Sequence, residues 1–319
     1  MDEFELINKY LKKLIFKNLP SLQLNDDVFF DKKNNLVVSV DTYNEGTHFL
    51  NFKKPELVIK KIIRSSISDL ICKGVYPKYY FISASGNKNN FKKLNLRKII
   101  KSLKSEQNKY KLFLGGGDTV FSNRLSFTIV SIGICKNIIY RNKAKINDDI
   151  YVTGNLGDSF TGLLILKKKI KLNPHLNRYF IKKYFLPDIK FSLIKNIKNI
   201  ATSSIDISDG LITDMEKLIN KQSLSYQILL ENIPISFNLS KIFKNKKLLK
   251  QNFISQGDDY EVLFTAPKNK RSLIKKVSKI SKCKITRIGY IKKNITKSSI
   301  LNGSGSKITL KNKGYFHIF

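Results

Sequence analysis

The stretch LVVSVDTYNEGTHFLNFKKPELVIKKIIRSSISDLICKG (36–74) decides how the chain is read. Leu36–Val40 is largely β-branched and apolar, suits a pleated strand, and gives way to polar residues at Asp41. From Pro55 the apolar residues recur at helical spacing, and Pro at the start with Gly74 at the end predicts a helix to about Lys73. The same alternation continues outward. Strands are expected at Tyr79–Ala84, Leu112–Leu114, Ser126–Ile134 and Asp149–Thr153, with a polar helix around 91–108. GNLGDSFTGLLIL (154–166) reads as a strand, a glycine turn and a helix. A second set follows: a helix near 188–200, a strand entering Asp206, a helix from Asp209 to about Lys221, strands at Tyr226–Leu230 and Tyr260–Thr265, and a helix at 269–280. This is the pattern of an α/β (α+β) fold. With 319 residues, 42% of them hydrophobic, two domains are expected, and the basic segment Cys135–Asp148 is the candidate linker between residues 1–140 and 141–319.

No apolar run approaches the roughly 20 residues of a membrane span, and MDEFELINKY has acids where a secretory leader would be basic, so a cytoplasmic protein is expected. Cys72, Cys135 and Cys283 lie far apart with no CxxC pair, which argues against a disulfide framework or a zinc site. Lys and Arg number 59 against 24 Asp and Glu, a formal charge of +35. Such an excess often marks nucleic-acid binding. Here it is spread over nearly every segment and mixed with Asn and Ile, which reads as a drifted, solvated surface, so specific nucleic-acid and membrane partners are not expected.

In so basic a chain the acids are the informative residues. They gather at strand ends beside Gly or Ser: Asp26 and Asp27, Asp41, Ser68-Asp69, Gly117-Asp118, Asp206 with Ser208-Asp209, and Asp258-Asp259. Taken singly, these segments could be a turn, a helix cap or a glycine-rich loop. Together they suit Mg²⁺, which takes hard oxygen ligands and keeps waters, so each ion needs only one or two carboxylates plus substrate phosphate. There is no GxxxxGK[ST] and no HRD or DFG set, which excludes P-loop enzymes and protein kinases. His48, His175 and His317 form no ligand-spaced pair.

DTYNEGTHF (41–49), SISDLICKGVYP (67–77), GGDT (116–119), RNKAKINDDIYVTGNLGDSFTGL (141–163), IDISDGLITDM (205–215), GDDYEVLFT (257–265) and GYFH (314–317) resemble, in order and spacing, the motifs of the thiamine-monophosphate kinases, within the superfamily of aminoimidazole ribonucleotide synthetase. The resemblance runs from about Asn25 to the C-terminus. It implies a two-domain fold whose N-terminal sheet domain dimerises, with ATP near the domain boundary. It also implies Mg²⁺ ligands at Asp27, Ser39, Val40 (by its carbonyl), Asp41, Asp69, Asp118, Asp206 and Asp209. ATP contacts are implied at Tyr110, Gly117, Asp118, Arg141 and Ser208, and thiamine monophosphate contacts at His48, Asp258 and Tyr315. Asp41, Asp118, Arg141 and Asp209 are the residues expected to serve the chemistry. Three positions depart from the family pattern: Asn25 for Gly, Val40 for a hydroxyl residue, and Asp258 for Glu.

The expected chemistry is direct in-line transfer of the γ-phosphate of ATP, using several Mg²⁺ ions and no protein nucleophile, because phosphoryl transfer asks chiefly for positioning and charge stabilisation. Two other ATP users of the superfamily, aminoimidazole ribonucleotide synthetase and selenophosphate synthetase, remain as alternatives. EGTHF and the GYFH ending favour the thiamine enzyme, and the Cys or Sec in a Gly-rich N-terminal segment expected of the selenophosphate enzyme is absent. The reading from a different class is a basic nucleic-acid-binding module, supported by net charge alone.

Overall fold

A computed structural model describes residues 1, 3–246, 248–295, 297–310, 312 and 314–315. The first of two sheets contains β1 (Phe29–Asp31), β2 (Leu36–Asn44), β3 (Pro77–Gly86), β4 (Phe113–Phe121) and β5 (Ser126–Ile134) in the order β1-β2-β5-β3-β4, antiparallel except for β3 with β4. The second contains β6 (Asp149–Thr153), β7 (Ser203–Asp206), β8 (Leu224–Leu229), β9 (Val262–Ala266), β10 (Ile285–Lys293) and β11 (Ser299–Leu301) in the order β11-β8-β10-β6-β9-β7, antiparallel except for β11 with β8. The helices in chain order are α1 (Glu3–Lys9), α2 (Pro55–Cys72), α3 (Lys93–Tyr110), α4 (Asp158–Leu166), α5 (Pro174–Phe185), α6 (Ile194–Ile197), α7 (Leu211–Leu218), α8 (Phe237–Lys246), α9 (Gln251–Ile254) and α10 (Arg271–Ile280).

α2 forms where the sequence places it. Pro55 starts it, and Gly74, with φ at +72°, follows its last turn. Its apolar stripe of Val58, Ile59, Ile62, Ile63 and Ile67 is buried against β2 and β5. Tyr184, Phe185 and Ile189 join this core from the second half of the chain, so the halves share packing. The second sheet packs on Leu211, Ile212, Met215 and Leu218 of α7. The opposite face of the first sheet leaves several of its apolar side chains in solvent. Val40, Tyr79 and Phe81, at the registers Val40–Val130–Phe81 and Tyr79–Ile132, are exposed there.

Several boundaries differ from the sequence reading. β2 runs past Asp41 to Asn44, because β5 supplies ladder partners as far as Ser126. The glycine segment 115–118 lies inside β4, paired with β3. The helix expected from Asp209 starts at Leu211, and that expected at 188–200 shrinks to α6 with a short 3₁₀ turn before it. α5, α8, β10 and β11 have no counterpart in the reading.

Candidate active site

The pleat of β2 explains how an acid comes to face the core. Val37, Ser39, Asp41 and Tyr43 share the face turned towards α2, so Asp41 takes a position that alternation would give to an apolar residue. Asp69, near the end of α2, meets it there, and Asp206 arrives from the end of β7. Ser39 donates its hydroxyl hydrogen bond to Asp69. One carboxylate oxygen from each of Asp27, Asp69 and Asp206 lies within 4.8 Å of the other two. A cavity of about 870 Å³ opens over these acids.

Burial, and next the charge of Asp206, pushes the Asp41 carboxyl up to about 7. Burial, with Asp41 and Asp206 beside it, drives Asp69 well above the usual carboxylate range, and burial raises Asp206. Oδ2 of Asp41 and Oδ2 of Asp206 are buried with no hydrogen-bond partner. Clustered, desolvated carboxylates with orphan oxygens are costly unless a cation joins them. The donor set is all oxygen and fits a hard divalent ion such as Mg²⁺.

The other end of the cluster is built differently. Lys73, the C-cap of α2, is fully buried and places Nζ 2.7 Å from Asp26 Oδ1 and 2.8 Å from Asp27 Oδ2. Its third contact is to the carbonyl of Ser204, at 2.7 Å. Arg141 donates through Nε to Asp27 at 2.9 Å, and its backbone N–H donates to Asp26 at 2.9 Å. Asp209 ion-pairs with Lys217, whose Nζ is also 3.4 Å from Asp214. Asp214 accepts the backbone N–H groups of Asp209 and Gly210 and so fixes the loop that carries Ser208 and Asp209. Burial pushes Asp214 up to about 7.

Asp258 also lines the cavity, with its φ at +73°, on a loop held by the Asp258 N–H bond to Ser208 O, 2.7 Å long. A side chain at position 257 would meet Ser208 O at 1.9 Å, so only Gly257 permits this approach. Buried Lys61 ion-pairs with Asp258, donates to Tyr184 O at 3.0 Å, and sits 3.7 Å from the centre of the Tyr184 ring. His48 lines the cavity, and its Nδ1 accepts the Asn44 N–H at 2.9 Å. Tyr315 lines it too, its N–H bonded to Asp209 O at 2.9 Å. Phe316 and His317 of the closing motif lie outside the described residues.

The fold thus gathers Asp27, Val40, Asp41, Asp69, Arg141, Asp206, Ser208, Asp209, His48, Asp258 and Tyr315 around one cavity, with Ser39 just behind Asp69. Tyr110, Gly117 and Asp118 do not line it. Tyr110 is buried at the end of α3 against Phe191, while Gly117 and Asp118 are exposed on the edge strand β4. Lys61, Lys73, Lys217 and Asp214 went unnoticed in the sequence. The sole signal for Lys73 was a lone cation between apolar Cys72 and Gly74-Val75 at a helix end.

Residues 25–135 match the family model described as AIR synthase related protein, N-terminal domain, in keeping with the first sheet and α2. The full chain is 37% identical to the thiamine-monophosphate kinase of Buchnera aphidicola subsp. Acyrthosiphon pisum, over 99% of this chain and 98% of that one. It is 30% identical to the thiamine-monophosphate kinase of Escherichia coli K12, over 99% and 98% of the two chains. A solved structure of AaThiL complexed with AMPPCP and TMP superposes with a TM-score of 0.85 at 27% identity, covering 99% of this chain and 97% of that one. Fold and cavity thus define an AIR-synthase-like α/β protein. Within that class, the chain belongs to the thiamine-monophosphate kinase family.

Proposed function

We propose that this chain transfers the γ-phosphate of ATP to thiamine monophosphate, giving thiamine diphosphate and ADP. The observation that carries the reading is the pair of orphan carboxylate oxygens, on Asp41 and Asp206, at the floor of a cavity large enough for two phosphorylated ligands. Asp41, Asp69 and Asp206, with Asp27, Asp209, Ser39 and the Val40 carbonyl near them, would hold Mg²⁺, which when bound neutralises the two phosphate groups so that they can approach. Arg141 offers a planar guanidinium to phosphate oxygens, and Ser208 a hydroxyl beside it. Asp258, His48 and Tyr315 also line the cavity and would seat the acceptor. The acceptor phosphate is already ionised near neutral pH, so in-line attack asks for no protein base.

The chain is read as two domains, 1–140 and 141–319, in a cytoplasmic enzyme. A second copy is the natural cover for the exposed Val40, Tyr79 and Phe81 face, since a bare apolar sheet face and edge invite association. Gly117 and Asp118 belong to that sheet and miss their own cavity, so an ATP or Mg²⁺ role for them requires a homodimer. A monomer mass by sedimentation at micromolar concentration would remove that role. The function itself is tested by incubating the protein with ATP, Mg²⁺ and a panel of monophosphates. ADP should appear with thiamine diphosphate in equal amounts. ATP consumption only with a different phosphorylated acceptor would move the chain to another superfamily reaction.

A further inference from the structure

The fully buried Lys73 ammonium stands inside an acidic site that is otherwise built for divalent cations. A buried lysine is costly unless every donor is used, and here all three are, by Asp26, Asp27 and the Ser204 carbonyl. With Arg141 on Asp27, the two positive charges balance the acid pair. Across the cluster, Asp69 and Asp206 take hydroxyl bonds from Ser39 and Ser68, the charge of Lys73 reaches both from a longer range, and Oδ2 of Asp41 and Oδ2 of Asp206 have no hydrogen-bond partner. The Lys73 contacts also join three segments, because the ammonium at the end of α2 holds the 26–27 turn and the backbone of β7 two residues before Asp206.

We infer that Lys73 is a resident monovalent cation of the site, taking at Asp26 and on the Lys73-facing oxygen of Asp27 the place a divalent ion would otherwise fill, and so leaving divalent binding to Asp41, Asp69 and Asp206 beside Asp27. Lys73 is a positioning residue in this account. It touches no reacting atom and acts by setting how many ions enter and by holding Asp27 in place. The inference rests on the proposed divalent-cation site.

The test measures thermal melting and equilibrium Mn²⁺ binding, for the parent and Lys73→Met, in chelator and in saturating Mg²⁺. Methionine keeps the length and loses the charge. In chelator, K73M should melt roughly 5–10 °C below the parent, because two buried carboxylates lose their partner. In Mg²⁺ most of that gap should close, and K73M should bind one more Mn²⁺ than the parent. A gap unchanged by Mg²⁺, with an unchanged Mn²⁺ count, would make Lys73 a plain structural strut and overturn the inference. If the parent itself neither binds Mn²⁺ nor gains stability from Mg²⁺, the divalent-site reading fails first, and this inference with it. Should K73M not fold in chelator, the double variant K73M/D27N, with one acid fewer, should fold there. Failure of the double variant in chelator would also count against the inference.

Discussion

The two ends of the acidic cavity contain the same residue type in opposite electrostatic states. At the Asp26–Asp27 end, Lys73 and Arg141 neutralise the carboxylates within hydrogen-bond distance. At the Asp41–Asp69–Asp206 end, no ion pair is made among the described residues, two oxygens lack partners, and burial raises all three acids against the longer-range pull of Lys73 on Asp69 and Asp206. The difference teaches where the protein has completed its own site and where it has left charge for a ligand to complete. Structural ion pairs close a charge balance, whereas a metal and polyphosphate site leaves it open.

Breaking the open end should have the largest effect. Asp41→Asn removes a carboxylate with little change of shape, and turnover in saturating Mg²⁺ and ATP should drop roughly 10²–10³-fold, as for loss of one transition-state electrostatic contact. Retention of more than about a tenth of the parent rate, well above that loss, would place the metal elsewhere. On the acceptor side, Lys61→Met should leave Asp258 without its ion-pair partner. KM for the acceptor should then rise about tenfold, roughly 1.4 kcal/mol, with kcat changed far less. An unchanged KM would make Lys61 a core residue only.

The same open end sets the pH dependence. The Asp41 carboxyl is raised from 3.8 to about 7, so between those values the unfolded chain gives up its proton first and the folded protein still holds one. Stability in chelator should therefore fall as pH rises from about 4 to about 7, the reverse of the usual carboxylate trend. Saturating Mg²⁺ should flatten or invert that slope, because the ion displaces the protons. Melting temperatures across this range, with and without Mg²⁺, check both signs.

Much of the open end was legible in the sequence because acids are scarce in this chain and recur at the ends of apolar runs. In so basic a chain the few acids stand out where apolar runs give way to polar residues, Asp41 after Leu36–Val40, Asp69 beside Ser68, and Asp206 at the end of an apolar strand before Ser208. At the closed end Asp26, Asp27 and Arg141 were legible but Lys73 was not, and on the acceptor side neither was Lys61. Among 59 Lys and Arg residues, Lys61 and Lys73 look like their solvated neighbours, and only burial, a property of the folded chain, sets them apart. Likewise Gly115–Gly117 suggested a loop, yet pairing with β3 draws them into a strand. The register of the edge strand then turns Asp118 to the exposed side, away from the acids it was grouped with.

The contrast between the two ends is tested most directly by melting Asp41→Asn and Asp26→Asn side by side in chelator. At the open end, relief of repulsion should leave D41N as stable as the parent or slightly more so. At the closed end, D26N removes a partner from buried Lys73 and should cost about 1–3 kcal/mol, a drop of several degrees. If D41N melts well below the parent while D26N does not, the charge balance assigned to the two ends is wrong.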